Sequence, residues 1–249
     1  MSSKHPAFDA PSDENVKVWR FMDFTKFVAM LDRGGLFFPR AELLGDRFEG
    51  SLPLANRRLR ESLPPGDDKL PMEALEAMSR FRRWLPRWTF ISCWHMNETE
   101  SAGMWSLYGQ DQKAVALQST YKKLRASLDE KVHIGKVCYI DYATEVIPEG
   151  NTLFAFTHKR KSFEHERELR AVISDLPVKE SPSEGTPIDY DRPAVSGVWK
   201  ELELKDLLET VYVSPGAPGW FAELVRSVMD RYGLDVRLTQ SSLDDDPVY

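Results

Sequence analysis

Strand-length and helix-length apolar patterns follow one another along this chain without a strict strand-helix-strand rhythm, which argues against a wound parallel sheet and for an α+β domain. Residues 16–21 (VKVWRF) alternate apolar and polar side chains as a strand does. Asp23 then caps a helix in which Phe24, Phe27, Val28 and Leu31 recur at helical spacing, stopped by Gly34 and Gly35. Further strands are read at 36–38, 88–94 (WTFISCW), 114–118, 131–142, 168–174 (ELRAVIS), 198–204, 208–213 and 234–238. Two helices are read between 56 and 88, separated by the turn Pro64-Pro65-Gly66-Asp67-Asp68. Others lie around Met104, Trp105 and Tyr108, over 120–128, and on the face made by Phe221, Leu224, Val225, Val228, Met229 and Tyr232. The expectation is a single α+β domain over 16–249 with a mainly antiparallel, split sheet flanked by helices. Residues 1–15 read as a flexible N-terminus and 175–196 as a long surface loop.

The 249 residues carry 33 lysines and arginines against 39 aspartates and glutamates, a formal charge of −6, so the protein as a whole is not a cationic coat for nucleic acid or membrane. Any contact with a polyanion must be local. One local basic face is visible: Arg80, Arg83 and Arg87 project from a helix read over 72–85, where Glu73 and Glu76 also fit a balanced, solvated surface. The two cysteines, Cys93 and Cys138, are too few for a disulfide framework and fit a reducing cytosol. No apolar run is long enough to span a bilayer, and 1–15 lacks the apolar stretch of a signal peptide. A cytoplasmic protein with no membrane contact is expected.

There is no Gly-rich dinucleotide turn, phosphate loop or Gly-x-Ser-x-Gly elbow, and no histidine pair at the spacing zinc hydrolases use, so no metal is expected. His95 reads as a surface histidine in a polar loop. The densest chemistry lies in 159–170 (KRKSFEHERELR). On an extended chain, two-residue spacing puts Glu166 and Glu168 on one face, where each disfavours the other's ionisation and Arg170 can neutralise one of them. The same pattern also serves as alternating charge on an exposed strand edge. Ser92 shares its strand face with Trp88, Phe90 and Trp94, which suits either a planar polar ligand or an ordinary buried sheet face. Arg20, in a strand otherwise built of Val16, Val18, Trp19 and Phe21, must find a partner. That partner is an internal carboxylate such as Asp46 or Glu49, or an anionic ligand such as a pyrophosphate.

Several short blocks, taken in order, resemble a widespread bacterial family known as domain of unknown function 2971. They are Val18-Trp19-Arg20-Phe21, Asp46-Arg47-Phe48-Glu49-Gly50, the Ser92 strand, Met104-Trp105-Ser106-Leu107-Tyr108-Gly109, Phe163 through Arg170, and Val211-Tyr212-Val213-Ser214-Pro215 with the closing strand and Ser241 or Ser242. Where that family's pattern has Pro, Gly, Trp and Tyr, this chain has Arg47, Ala114, Phe163 and His165. The polar positions Arg20, Asp46, Glu49, Glu166, Glu168 and Arg170 match it.

A second resemblance is to ADP-ribosyltransferases of the Arg-Ser-Glu type: an Arg on an early strand, a Ser on a later aromatic strand, and a Glu-x-Glu opening a still later one. It implies an ADP-ribosyltransferase-like fold and NAD as substrate, whose nicotinamide N-glycosidic bond breaks through an oxocarbenium-like ribose stabilised by a fixed carboxylate. In that scheme Glu168 is the stabilising carboxylate, and Glu166 orients the acceptor or takes its proton. Arg20 grips the diphosphate or adenosine ribose, and Ser92 steadies the nicotinamide ribose, with Trp94, Trp105 and Tyr108 lining the pocket. The acceptor is a nucleic acid or a protein, and an antitoxin partner would suit a toxin or phage-defence effector. Two other functions are compatible with the same residues. One is a non-catalytic ligand-binding or interaction module whose Arg-carboxylate network holds its loops. The other is a magnesium-dependent nuclease with Asp46, Glu49, Glu166 and Glu168 as ligands.

Overall fold

The alternation of 16–21 becomes the strand β1 (Lys17–Asp23), and the Asp23 side chain accepts a hydrogen bond from the Lys26 amide at 2.9 Å to start helix α1 (Phe24–Arg33). Gly34, at φ 56°, ends that helix in the left-handed conformation that glycine tolerates best. In chain order there follow β2 (Gly35–Pro39), α2 (Leu54–Ser62), α3 (Met72–Trp84), β3 (Thr89–Met96), α4 (Ala102–Tyr108), β4 (Ala114–Thr120) and α5 (Tyr121–Ala126). The remainder comprises β5 (His133–Lys136), β6 (Cys138–Ile140), β7 (His158–Arg160), β8 (Glu168–Ser174), β9 (Gly197–Glu201), α6 (Leu204–Leu207), β10 (Thr210–Val213), α7 (Gly219–Arg231) and β11 (Arg237–Gln240). This computed structural model describes residues 5–62, 71–109, 113–179 and 188–248. The turn at 64–68 and the middle of the 175–196 loop lie outside the described residues.

Seven strands form one sheet in the order β11-β10-β4-β1-β3-β8-β5. Every neighbouring pair in it is antiparallel except β10 with β11. Two short ribbons, β2 with β9 and β6 with β7, stand apart from it. The fold is therefore a mixed α+β unit with a large, mostly antiparallel sheet flanked by helices. Among the described residues no helix is long and apolar enough to cross a membrane.

Register decides what shares a face. Trp19 lies opposite His95, and His95 lies opposite Glu168, so these three side chains project to the same side of the sheet, with Phe21, Cys93 and Arg170 two residues along each strand. Val18, Arg20, Ser92, Trp94 and Leu169 project to the other side. That second face carries the main core, closed by Phe27 and Leu31 of α1, Leu124 of α5, Leu207 of α6 and Phe221 and Val225 of α7. The first face is covered only in patches. One patch gathers Trp19, Phe21, Met104, Trp105 and Ala116; the other gathers Phe8, Ala41, Leu85, Ile91 and Phe156.

Three expectations change. The strand read over 131–142 is two, β5 and β6, which belong to different sheets. The N-terminal segment is no free tail over its described part: Ala7 and Phe8 are buried, Phe8 stacks on His133 at 5.2 Å, and the Lys136 amide donates to the Asp9 carbonyl at 2.8 Å. Its apolar pair covers strand β5, which otherwise faces water. The closing strand begins at Arg237 rather than 234, because Leu234 is used to pack the end of α7 against the core.

Candidate functional site

Between the two patches the uncovered sheet face forms the floor of a cavity of about 270 Å³. Trp19 and Phe21 of β1, Cys93 and His95 of β3, and Glu168 and Arg170 of β8 line it, with Tyr108 and Phe163 at its sides. Trp19 is fixed by its indole nitrogen, which donates to the Asn97 carbonyl at 2.7 Å. Phe21 is held by an edge contact to Trp105 at 4.9 Å.

The polar wall is a chain of ion pairs. Arg170, 1 % exposed, donates from Nε to Glu168 at 2.6 Å and through both terminal nitrogens to Glu49 at 2.6 and 2.9 Å. It also donates to the Phe156 carbonyl at 2.8 Å, so each of its nitrogens has a partner. Lys159 bridges the other oxygen of Glu168 to Glu166. Arg160, the next residue, donates to Asp46 at 2.7 Å and lies over the Phe48 ring at 4.2 Å. Glu49 and Asp46 come from one tight turn, in which the Asp46 carboxylate also accepts from the Phe48 amide at 3.0 Å.

That turn closes on Gly50 at φ 72°, where an added Cβ would sit 2.6 Å from the Phe156 ring. Gly50→Ala is therefore expected to destabilise the protein by about 2 kcal/mol or more, through left-handed strain plus the clash with a buried ring. A urea midpoint indistinguishable from wild type would refute this.

The two glutamates do not meet as the extended-chain spacing suggests. Glu166 ends a 3₁₀ turn, and Arg167, at φ 40°, swings the chain into β8, so Lys159 rather than a shared strand face brings the carboxylates together. Glu168 and Arg170 do share a strand face, but β8 lies inside the sheet and not at an edge. Their environments push the two carboxyl groups apart. Burial works to raise Glu168, but Arg170, a hydrogen bond from Glu166 and Lys159 outweigh it and hold the carboxylate ionised well below the usual range. Glu166 is pushed up to about 7, first by burial and then by the ionised Glu168 beside it, with Lys159 opposing.

The raised Glu166 fixes a sign. Its protonated form is favoured by the fold, so its contribution to stability is fully present below about pH 4.5 and is lost as the pH rises through about 7. Relative to Glu166→Gln, the wild type should lose stability between pH 5 and pH 8 in urea unfolding. A difference independent of pH would show that Glu166 titrates normally.

His95 is buried at 3 % exposure rather than lying on the surface. Its Nδ1 is 2.7 Å from the Glu166 carbonyl oxygen, which can only accept, so the ring is protonated there. Its Nε2 is buried without a partner, and the ring lines the cavity. Burial lowers its pKa, leaving a neutral imidazole with a bare acceptor nitrogen. Lys159 and His95 line the cavity, although the sequence pattern assigns Lys159 no role at a site and places His95 on the surface.

Arg20 and Ser92, in contrast, stand on the opposite sheet face from Glu168. Arg20 pairs with no carboxylate among the described residues: it donates to the Phe37 carbonyl at 2.9 Å and lies 5.9 Å from the Trp94 ring, and burial draws its pKa down to about 10. Ser92 accepts from the Trp94 indole at 3.1 Å inside the main core. Trp105 donates to Glu100 at 3.0 Å and supports Phe21 from behind. The Arg-Ser-Glu order is thus present in the chain but does not converge on one cavity. Nor do the four carboxylates present open oxygens toward a common point: Asp46, Glu49 and Glu168 are taken up by arginine and lysine, and among the described residues no three metal-ligating groups gather.

No family model matches the chain, and a search of curated proteins returns no relative.

Proposed function

We propose that this cavity is the active site of an enzyme that breaks an N-glycosidic bond of a nucleotide, with NAD as the substrate of first choice and transfer or hydrolysis as the outcome. The observation that carries the reading is a pair of adjacent carboxyl groups, one held ionised and the other titrating near neutrality, in an aromatic-walled cavity. When the C1′–N bond of NAD breaks, its electron pair leaves with nicotinamide, which departs neutral and needs no acid. What the site must supply is negative surroundings for the cationic ribose and a base for the acceptor's proton. Ionised Glu166 adds a negative charge to the polar wall beside the ionised Glu168, with Lys159 between them. Glu166 then takes the acceptor's proton, with the bare His95 nitrogen as a hydrogen-bond acceptor beside it. Trp19, Phe21 and Phe163 provide faces for the leaving ring. The cavity has room for a nicotinamide riboside end rather than a whole dinucleotide.

The test is NAD labelled in its adenylate phosphate, incubated with purified protein and whole bacterial lysate. Release of nicotinamide and transfer of label to protein, DNA or RNA by wild type alone supports the enzyme and identifies the acceptor class. A second reading, a non-catalytic binding module, is favoured by one feature: both oxygens of Glu168 are already engaged, as in a purely structural network. It predicts a nucleotide-dependent rise in melting temperature with no nicotinamide release.

A further inference from the structure

A second depression, of about 590 Å³, opens between the 42–53 segment and helices α2 and α3. Six arginines line it: Arg47, Arg57, Arg60, Arg82, Arg83 and Arg87. Leu44, Gly45, Asp46 and Glu49 line both this cleft and the acidic cavity, so the two lie side by side along one wall.

Among the described residues, carboxylates offset only part of that charge. Glu61 pairs with Arg57 at 2.8 Å, and Glu149 is shared between Arg60 at 2.9 Å and Arg82 at 2.7 Å. Glu42 is shared between Arg87 at 3.4 Å and Arg40 at 3.7 Å. Arg47 has no carboxylate partner among the described residues, and Arg83 donates only to Ser79 of its own helix, at 3.2 and 3.4 Å. In a chain of net charge −6, the described residues thus gather a local surplus of guanidinium groups around a concave space.

We propose that the cleft binds a nucleoside diphosphate, its phosphate oxygens held by Arg47 and Arg83 with the paired arginines around them. Guanidinium forks match phosphate oxygens bidentately, which ammonium groups do not. The volume is that of a pocket for one small molecule rather than of an extended groove that tracks a polymer backbone. The assignment moves the diphosphate away from Arg20, on the far side of the sheet, to a cluster spread over three chain segments. It also divides the basic face read from the sequence: Arg83 and Arg87 line the cleft, whereas Arg80 faces Glu76 at 3.9 Å. The inference rests on the glycosidic-bond reading for the nucleoside part of the ligand and for the direction in which its reactive sugar points, toward the acidic cavity; the arginines themselves account for the diphosphate.

ADP has no scissile nicotinamide bond, so its binding is measured by calorimetry without any turnover. Saturable binding to the full chain is expected, weakened about tenfold in each of Arg47→Ala and Arg83→Ala, and weakened by added salt. Both side chains are exposed, so the melting temperatures of the variants without ADP should match wild type. Adenosine binding as tightly as ADP, ADP binding undiminished in both variants, or a single-stranded oligonucleotide binding where ADP does not would each overturn the assignment. ADP bound without NAD cleavage would leave the cleft in place and remove the enzymatic reading; NAD cleavage without ADP binding would do the reverse.

Discussion

Glu166→Gln is expected to lower NAD cleavage at least a hundredfold while the melting temperature at pH 7 stays within about 2 °C of wild type. The amide has the shape of the protonated carboxyl that the fold already favours below pH 7, so the cavity keeps its packing. It cannot accept a proton, and it removes the negative charge that ionised Glu166 would present to the ribosyl cation. Wild-type cleavage should rise with pH through about 7 as Glu166 ionises, and the residual rate of the variant should be flat across that range. A variant that cleaves NAD at the wild-type rate would remove Glu166 from the chemistry. A slow variant whose rate still climbs through the same pH would mean that a group other than Glu166 sets the pH dependence.

Glu168 is the poorer position for such a test. Its carboxylate accepts from Lys159 on one oxygen and Arg170 on the other, so an amide there must place its NH₂ group against a cation. Loss of activity in Glu168→Gln would mix chemistry with a broken network, whereas Glu166 has Lys159 as its one ionic partner among the described residues and is partly open to solvent.

Patterns confined to one segment were legible before the fold was known. The cap at Asp23, the helix stop at Gly34 and the Glu168-Arg170 face of β8 all depend on residues a few positions apart, and each stands as the periodicity indicates. What spacing could not supply is the register between strands that are distant in sequence. Arg20 pairs across to Leu117 on β4, and its neighbour Trp19 is opposite His95; a shift of one residue would have put Arg20 on the Glu168 face. The Arg-Ser-Glu order therefore carried residue types without carrying sides of the sheet. Lys159 was hidden for a related reason. It reads as one of three consecutive basic residues, yet only β7 delivers it between two carboxylates, while Arg160 turns outward to Asp46. The arginine cleft draws on the 42–53 segment, α2 and α3, and no local pattern joins those three.

Arg170→Met should cost about 3–5 kcal/mol, because it strands Glu49 in the interior and leaves Glu168 with Lys159 alone. In a chain of this length that corresponds to a fall of about 10 °C in melting temperature. Methionine fills much of the volume, so the loss reports uncompensated charge rather than a cavity. Removing the stranded charge as well, in Arg170→Met with Glu49→Leu, should recover at least half of the loss, since an apolar replacement of a buried pair is often neutral. A cost under about 1 kcal/mol for the single variant would mean that these ion pairs do not hold the 46–50 turn against the sheet. The double variant also separates scaffold from chemistry. Without Arg170, burial raises the Glu168 carboxyl against only the hydrogen bond from Glu166 and the charge of Lys159, and the proton then shared with Glu166 removes the base and the negative field together. A stable double variant that no longer cleaves NAD would mark the network as part of the catalytic apparatus; one that still cleaves it would restrict Arg170 to holding the turn in place.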